Sequence, residues 1–323
     1  MILKINTALL KIRGTIMKKL LLISLIVFMV LASSIGVMAQ EKLEVGFIVK
    51  TMANPYFTRM LEGAQQAAED YDVNLNWVSA EKHTDISGQL NIVEDMIEKD
   101  VDILVINPAG PKAIVPAIDK ANQKGIPVIV VDTTAEGGKI ESFIGVDNYS
   151  AAVQIAEFSA EYLNGSGQIA ILEGVRGHST AEDRIDGYND VLDQYPGIEV
   201  VASQTANYDR TQGMRVTENL ITAHPDLDFI IASNDEMAMG AMRAIQGARK
   251  EGEIEVVGFD AIDDALEAIK EGQLLATVEN VPDRQGYVSV EKAVEFMQGK
   301  EIKEEIIIDC IVVTDENVDE FMK

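Results

Sequence analysis

An α/β fold made of two units side by side is predicted for this 323-residue chain. Three observations predict it. Short apolar runs alternate with helix-length amphipathic stretches, joined by short connections, which is the pattern of parallel sheets covered by helices. The length accommodates two domains with proper cores, and a composition that is 47% hydrophobic and 25% charged is that of a folded globular chain. The apolar runs also end on polar residues such as Asn, Asp and Lys, and the carboxyl ends of strands in an open parallel sheet are where ligands bind.

The chain opens on a leader. Lys18-Lys19, an apolar run over 20–31 and Val37-Met38-Ala39 make a signal peptide of 1–39 with a small-x-small cleavage site after Ala39. The run is short for a membrane span, and Met17 is a more natural start than Met1. No cysteine lies near the cleavage site, so no lipid anchor is expected. The one cysteine, Cys310, cannot form an internal disulfide and is read as a small core residue. The leader carries five basic side chains and no acidic one, so its removal takes the net charge from −26 to −31. Such an acidic chain repels nucleic acid and anionic lipid, and neither is expected as a partner.

The elements follow in order. Residues 45–49 form a strand with the tip Lys50-Thr51-Met52-Ala53-Asn54-Pro55, and Pro55 suits the first turn of a helix running through Met60, Ala64 and Ala68. A strand over 73–78 leads to a helix over 85–99, a strand over 103–106 to a helix ending at Gln123, and strands over 128–131 and 143–146 close the first series. The second begins with a helix over 150–163, a strand over 169–172 and a loop over 173–179. A helix ending near Tyr195, a strand over 199–202 and a helix with Val216, Leu220 and Ala223 on one face come next. His224-Pro225 stops that helix, because the residue before a proline is steered from helical angles.

Residues 228–245, DFIIASNDEMAMGAMRAI, show the repeating unit most clearly. The apolar run 229–232 breaks into Ser233, Asn234, Asp235 and Glu236, and apolar residues then recur at Met237, Ala241, Ala244 and Ile245 along one helix face. Asn or Asp before a helix accepts from its free N–H groups, and Glu suits the positive end of its dipole. A strand over 256–259, a helix over 263–270, a strand over 274–279, a helix over 282–297 and strands around Ile306 and Ile311 complete the chain. With no long linker between the two series, a hinged cleft is expected.

The tips collect Lys50, Asn54, Asn107, Asp132, Arg184, Asn234, Asp260 and Asn280, with Tyr56, Phe57 and Tyr208 beside them. Carboxylates and amides accept and donate, Arg offers a rigid fork of donors, and aromatic rings stack on C–H faces. Neutral polyols call for this mixture. Nucleotide would call for a glycine-rich loop, whereas the first strand ends in KTMANP, no G-x-x-x-x-G-K-[ST] occurs, and GVRGHST over 174–180 is read as a plain loop. His83, His178 and His224 show no metal spacing, and no G-x-S-x-G elbow is present. Met237, Met239, Met242 and Trp77 are read as packing residues. No catalytic residue, metal or cofactor is therefore expected.

The motifs VGFIVKTMANPYF, DILVINP, IPVIVVD, STAEDRIDGY, NYDRTQG, IIASNDEMAMGAMRA, EVVGFDA and ATVENVPD resemble, in that order, those of the ribose-type sugar-binding proteins of bacterial ABC transporters. The resemblance implies a type I periplasmic binding protein: two Rossmann-like lobes, 40–147 plus 281–309 and 148–280 plus 310–323, joined by three crossings near Asp147, Asn280 and Asp309. It implies ligand contacts at Asn54, Phe57, Asn107, Asp132, Arg184, Asn234 and Asp260. Tyr56 and Tyr208 stand where the ribose binders have phenylalanines, Lys50 where they have serine, Thr133 where they have arginine and Asn280 where they have glutamine. Losing a rigid multi-donor arginine changes a specificity built on buried hydroxyl pairing, and Lys50 resembles the allose-type binders. A hexose or related polyol is thus implied rather than ribose.

The expected function is an exported, periplasmic, monomeric receptor that delivers a monosaccharide or polyol to an ABC permease and catalyses nothing. A receptor for chemotaxis or a sensor kinase is the alternative. The ligand-binding core of a transcriptional regulator ranks lower, because a leader stands where a helix-turn-helix would be needed.

Overall fold

The computed structural model describes residues 42–322 and, ahead of them, Met17. The remainder of the expected leader lies outside the described residues. In chain order, β1 (Glu44–Val49), α1 (Pro55–Asp70), β2 (Asn74–Ser79), α2 (Ile86–Glu98), β3 (Ile103–Ile106), α3 (Val115–Gln123), β4 (Val128–Val131) and β5 (Ser142–Val146) form a first series. The second is α4 (Asn148–Tyr162), β6 (Ser166–Glu173), α5 (Ser179–Leu192), β7 (Gly197–Thr205), α6 (Arg210–Ala223), β8 (Phe229–Ala232), α7 (Asp235–Ala248), β9 (Glu255–Val257), α8 (Asp263–Lys270) and β10 (Ala276–Glu279). A tail adds α9 (Pro282–Met297), β11 (Glu305–Ile308) and β12 (Ile311–Thr314).

These strands build two six-stranded sheets, ordered β11-β5-β4-β3-β1-β2 and β12-β10-β9-β8-β6-β7. Every pairing is parallel except that of β10 with β12. Each sheet with its helices is one lobe. The chain passes between the sheets after β5, after β10 and between β11 and β12.

The central strands are buried end to end because helices cover both faces of each sheet. Alternation then splits each strand between two cores. In β3, Ile103 and Val105 face the cluster under α1 and α9, while Leu104 and Ile106 face the one under α2 and α3. In β8, Ile230 and Ala232 face α6, α7 and α8, while Phe229 and Ile231 face α4 and α5. Helices α1 and α9 meet almost backbone to backbone: a Cβ on Gly63 would lie 1.8 Å from the Asp283 carbonyl oxygen, and one on Gly286 1.9 Å from that of Met60.

Two local expectations change. The expected strand 199–202 extends to Gly197–Thr205, because its partner β6 supplies backbone hydrogen bonds along its length although the edge residues are polar. Trp77, read as a packing residue, is 42% exposed on the edge strand β2.

Candidate functional site

The carboxyl ends of both sheets face a small cleft between the lobes. One lobe lines it with Lys50, Asn54, Tyr56, Phe57, His83 and Asp132, the other with Thr180, Arg184, Tyr208, Asn234 and Asp260, and Asn280 lies at a crossing. Ten of the eleven residues selected from sequence line it. Asn107 is fully buried behind them, donating from Nδ2 to Asp132 (2.8 Å) and to the Val131 carbonyl (3.0 Å).

Strand ends deliver most of these side chains, but Tyr56 and Phe57 come from the first turn of α1 and Thr180 and Arg184 from α5. Arg184, read as a strand tip, thus reaches the cleft from a helix. At the strand ends the backbone bends to aim the side chains. Asp132 (φ 64°), Tyr208 (φ 57°) and Asp260 (φ 116°) all lie at positive φ, a conformation costing on the order of 1–3 kcal/mol each outside glycine. Backbone bonds fix two of them, from Asp132 to Ile144 (2.8 Å) and from Asp260 to Val278 (2.9 Å). Asn54 and Asn234 sit at the starts of α1 and α7 as well as in the cavity. Their Oδ1 atoms accept from the N–H groups of Tyr56 and Met237, so capping and site lining coincide in one residue.

Two charged centres stand opposite each other. Lys50 donates from Nζ to Asp132 (3.2 Å) and to Thr133, and Asp132 also accepts from the Tyr56 hydroxyl (3.0 Å) and the Thr133 hydroxyl (3.0 Å). Burial pushes the Asp132 carboxyl up, but Lys50 and the donors outweigh it and hold the group below the usual carboxylate range. Burial likewise lowers Lys50, against the opposing pull of Asp132. On the other lobe, Arg184 lies 3.5 Å from the centroid of the Phe259 ring, donates to Asn148 and to the Ser233 carbonyl, and approaches Asp260 at 3.8 Å. Burial raises Asp260 to about 7, with Arg184 and Asn280 opposing. Two basic and two acidic groups thus meet in the cavity, and this balance favours a neutral ligand carrying many hydroxyls.

Residues absent from the sequence selection complete the cleft. His83 and Thr180 line it, and Gln285 donates to the Tyr56 hydroxyl (3.0 Å) and the Asn280 carbonyl (2.7 Å). His83 lies on the loop after β2 and Thr180 in the first turn of α5 after β6, so the stretch 174–180, read as a plain loop, ends in a helix. Extending the tip rule a few residues past each strand would have found both. Gln285 lies inside α9 and had no such signal. The lobes touch through His178 Nε2 donating to the Ala109 carbonyl (2.9 Å), Thr134 N–H to Ser179 Oγ (3.1 Å) and Arg59 to the Ala261 carbonyl (3.1 Å). Among the described residues, no group of three or more His, Cys, Asp or Glu side chains could hold a metal ion.

Residues 45–301 match the periplasmic binding protein domain family. The chain is 38% identical over 267 residues to the ribose import binding protein RbsB of Bacillus subtilis (strain 168), covering 83% of this chain and 86% of that protein. A periplasmic solute-binding protein of an ABC transporter from Actinobacillus succinogenes 130z, solved with bound D-allose, superposes with a TM-score of 0.82 at 34% identity, over 86% of this chain and 100% of that one. Another from Bacillus halodurans C-125, solved with bound myo-inositol, gives 0.81 at 32% identity, over 87% and 97%.

Proposed function

Because the chain belongs to the periplasmic binding protein domain family, we propose that it is an exported receptor that captures a monosaccharide or related polyol between its lobes and delivers it to an ABC permease. The observation that carries this is the cleft itself, where carboxylates, amides, Arg184, Lys50 and aromatic rings from both lobes converge on one cavity. Lobes of 40–147 with 281–309 and 148–280 with 310–323 close on the ligand by bending at the crossings, and the permease reads the closed form. Cleavage after Ala39 releases the mature protein into the periplasm as a monomer. The ligand contacts are Lys50, Asn54, Tyr56, Phe57, Asp132, Arg184, Tyr208, Asn234, Asp260 and Asn280, with Asn107 orienting Asp132. The protein performs no chemistry on its cargo.

A thermal-unfolding screen of ligand-stripped protein tests this, using D-ribose, D-allose and myo-inositol, with ATP as a control. A ligand at 100 times its Kd adds about 2.7 kcal/mol, which raises the midpoint by several degrees. A shift with a polyol and none with ATP is expected. Stabilisation by ATP alone would overturn the proposal.

A further inference from the structure

His83 is the wall residue that the polar networks of the cleft leave out. It stands on the loop between β2 and α2, its ring 5.5 Å from that of Phe57 on its own lobe and 5.4 Å from that of Tyr208 on the other. Both ring nitrogens are buried and neither has a hydrogen-bond partner among the described residues. Most buried polar side-chain atoms are paired, and leaving both nitrogens of one imidazole unpaired is costly. Burial, reinforced by the positive charge of Lys50, lowers its pKa to about 3. The ring is therefore neutral at ambient pH, with one nitrogen donating and the other accepting, which matches a hydroxyl that can do either.

We propose that His83 contacts the ligand and sets specificity, hydrogen-bonding a polyol hydroxyl presented between Phe57 and Tyr208. This rests on the receptor reading above. A sugar ring or polyol chain seated against Phe57 and Tyr208 meets the edge of His83, and discrimination follows because a ligand without that hydroxyl leaves the imidazole unpaired. A role in packing alone would require only an aromatic ring at this position, so two substitutions separate the possibilities. His83→Phe keeps a ring and removes the nitrogens; His83→Asn keeps a donor and an acceptor and removes the ring.

The test is titration calorimetry on wild type and both variants, with whichever of D-ribose, D-allose and myo-inositol the wild type binds tightest, and with its monodeoxy derivatives. Thermal midpoints without ligand serve as the folding control. His83→Phe is expected to weaken binding about tenfold or more. It should also lose discrimination against one monodeoxy derivative, the one lacking the hydroxyl that His83 meets. His83→Asn should bind better than His83→Phe. Unchanged affinity in His83→Phe, or an equal loss with every derivative, overturns the inference while leaving the receptor reading intact. A wild type that binds no polyol overturns both. If His83→Phe does not fold, a His83→Asn variant with the same affinity and the same deoxy preference as wild type overturns the inference.

Discussion

At Asp132 the carboxylate is shared between four protein donors, with Tyr56 on Oδ1 and Lys50, Asn107 and Thr133 on Oδ2. That crowding is the local consequence of Lys50, Tyr56 and Thr133 standing together, and it gives a ligand hydroxyl competitors for this group. Arg184 and Asp260 have fewer protein partners: buried Arg184 donates to Asn148 and the Ser233 carbonyl, and Asp260 has one 3.4 Å bond from Asn280 and the approach of Arg184. Arg184→Ala or Asp260→Ala should each cost about 2 to 4 kcal/mol of polyol affinity by calorimetry, because truncation strands buried partners. Near-normal affinity in both would remove them from the site. The residue scale also sets a pH dependence. Burial lowers both His83 and His178 to about 3, from an ordinary value near 6.5. Between those values the unfolded chain takes up a proton that the folded one refuses, so their contribution is full above about 6.5 and is lost as pH falls towards 3. Each should cost about 1 kcal/mol by pH 5.5. Asp260, raised to about 7, acts in the opposite direction, its contribution being lost as pH rises from about 4 to 7. Thermal midpoints of wild type and a His178→Asn variant should therefore be compared at pH 7.5 and 5.5. From pH 7.5 to 5.5 the variant should lose less, or gain more, than wild type, and parallel curves would refute the assignment.

At the scale of elements, the packing of α1 against α9 depends on absent side chains. Gly63→Ala drives a methyl to within 1.8 Å of the Asp283 carbonyl oxygen, so the helices must separate. A loss of about 1–3 kcal/mol or more is expected, read as a midpoint several degrees lower, and an unchanged midpoint would show that the contact yields freely. Elements differed in how legible they were. β3, β4 and β8 stood out as continuous apolar runs because both faces of their sheets are covered. The full length of β7 did not, since Glu199, Ser203 and Gln204 lie on an edge strand whose extent is set by backbone pairing with β6. The same limit applied to Trp77, where strand alternation gave no indication of which residues an edge would leave exposed. Most of the site was legible because strand ends are local features with a known place in the fold. His83 and Thr180 follow the ends of β2 and β6 at a few residues' remove, and Gln285 draws its value from neighbours distant in the chain, so none of the three was singled out.

At the scale of the molecule, the described chain passes between the two sheets after β5, after β10 and between β11 and β12. Contacts such as His178 to Ala109 and Thr134 to Ser179 join the lobes across the cleft. If those contacts form on closure, adding the bound polyol to ligand-stripped protein should lower the radius of gyration in small-angle scattering. An unchanged radius would refute hinge closure. The sequence by itself determined the alternation of strands and helices, the pairing of two α/β lobes and the polar residues at the strand tips, because hydrophobic period, capping and turn chemistry act over a few residues. Only the tertiary structure decided which tips share a cavity, that Asn107 stands behind Asp132, and that His83 lies between rings of opposite lobes. Those relations follow from sheet order and lobe closure, which bring together residues separated by much of the chain.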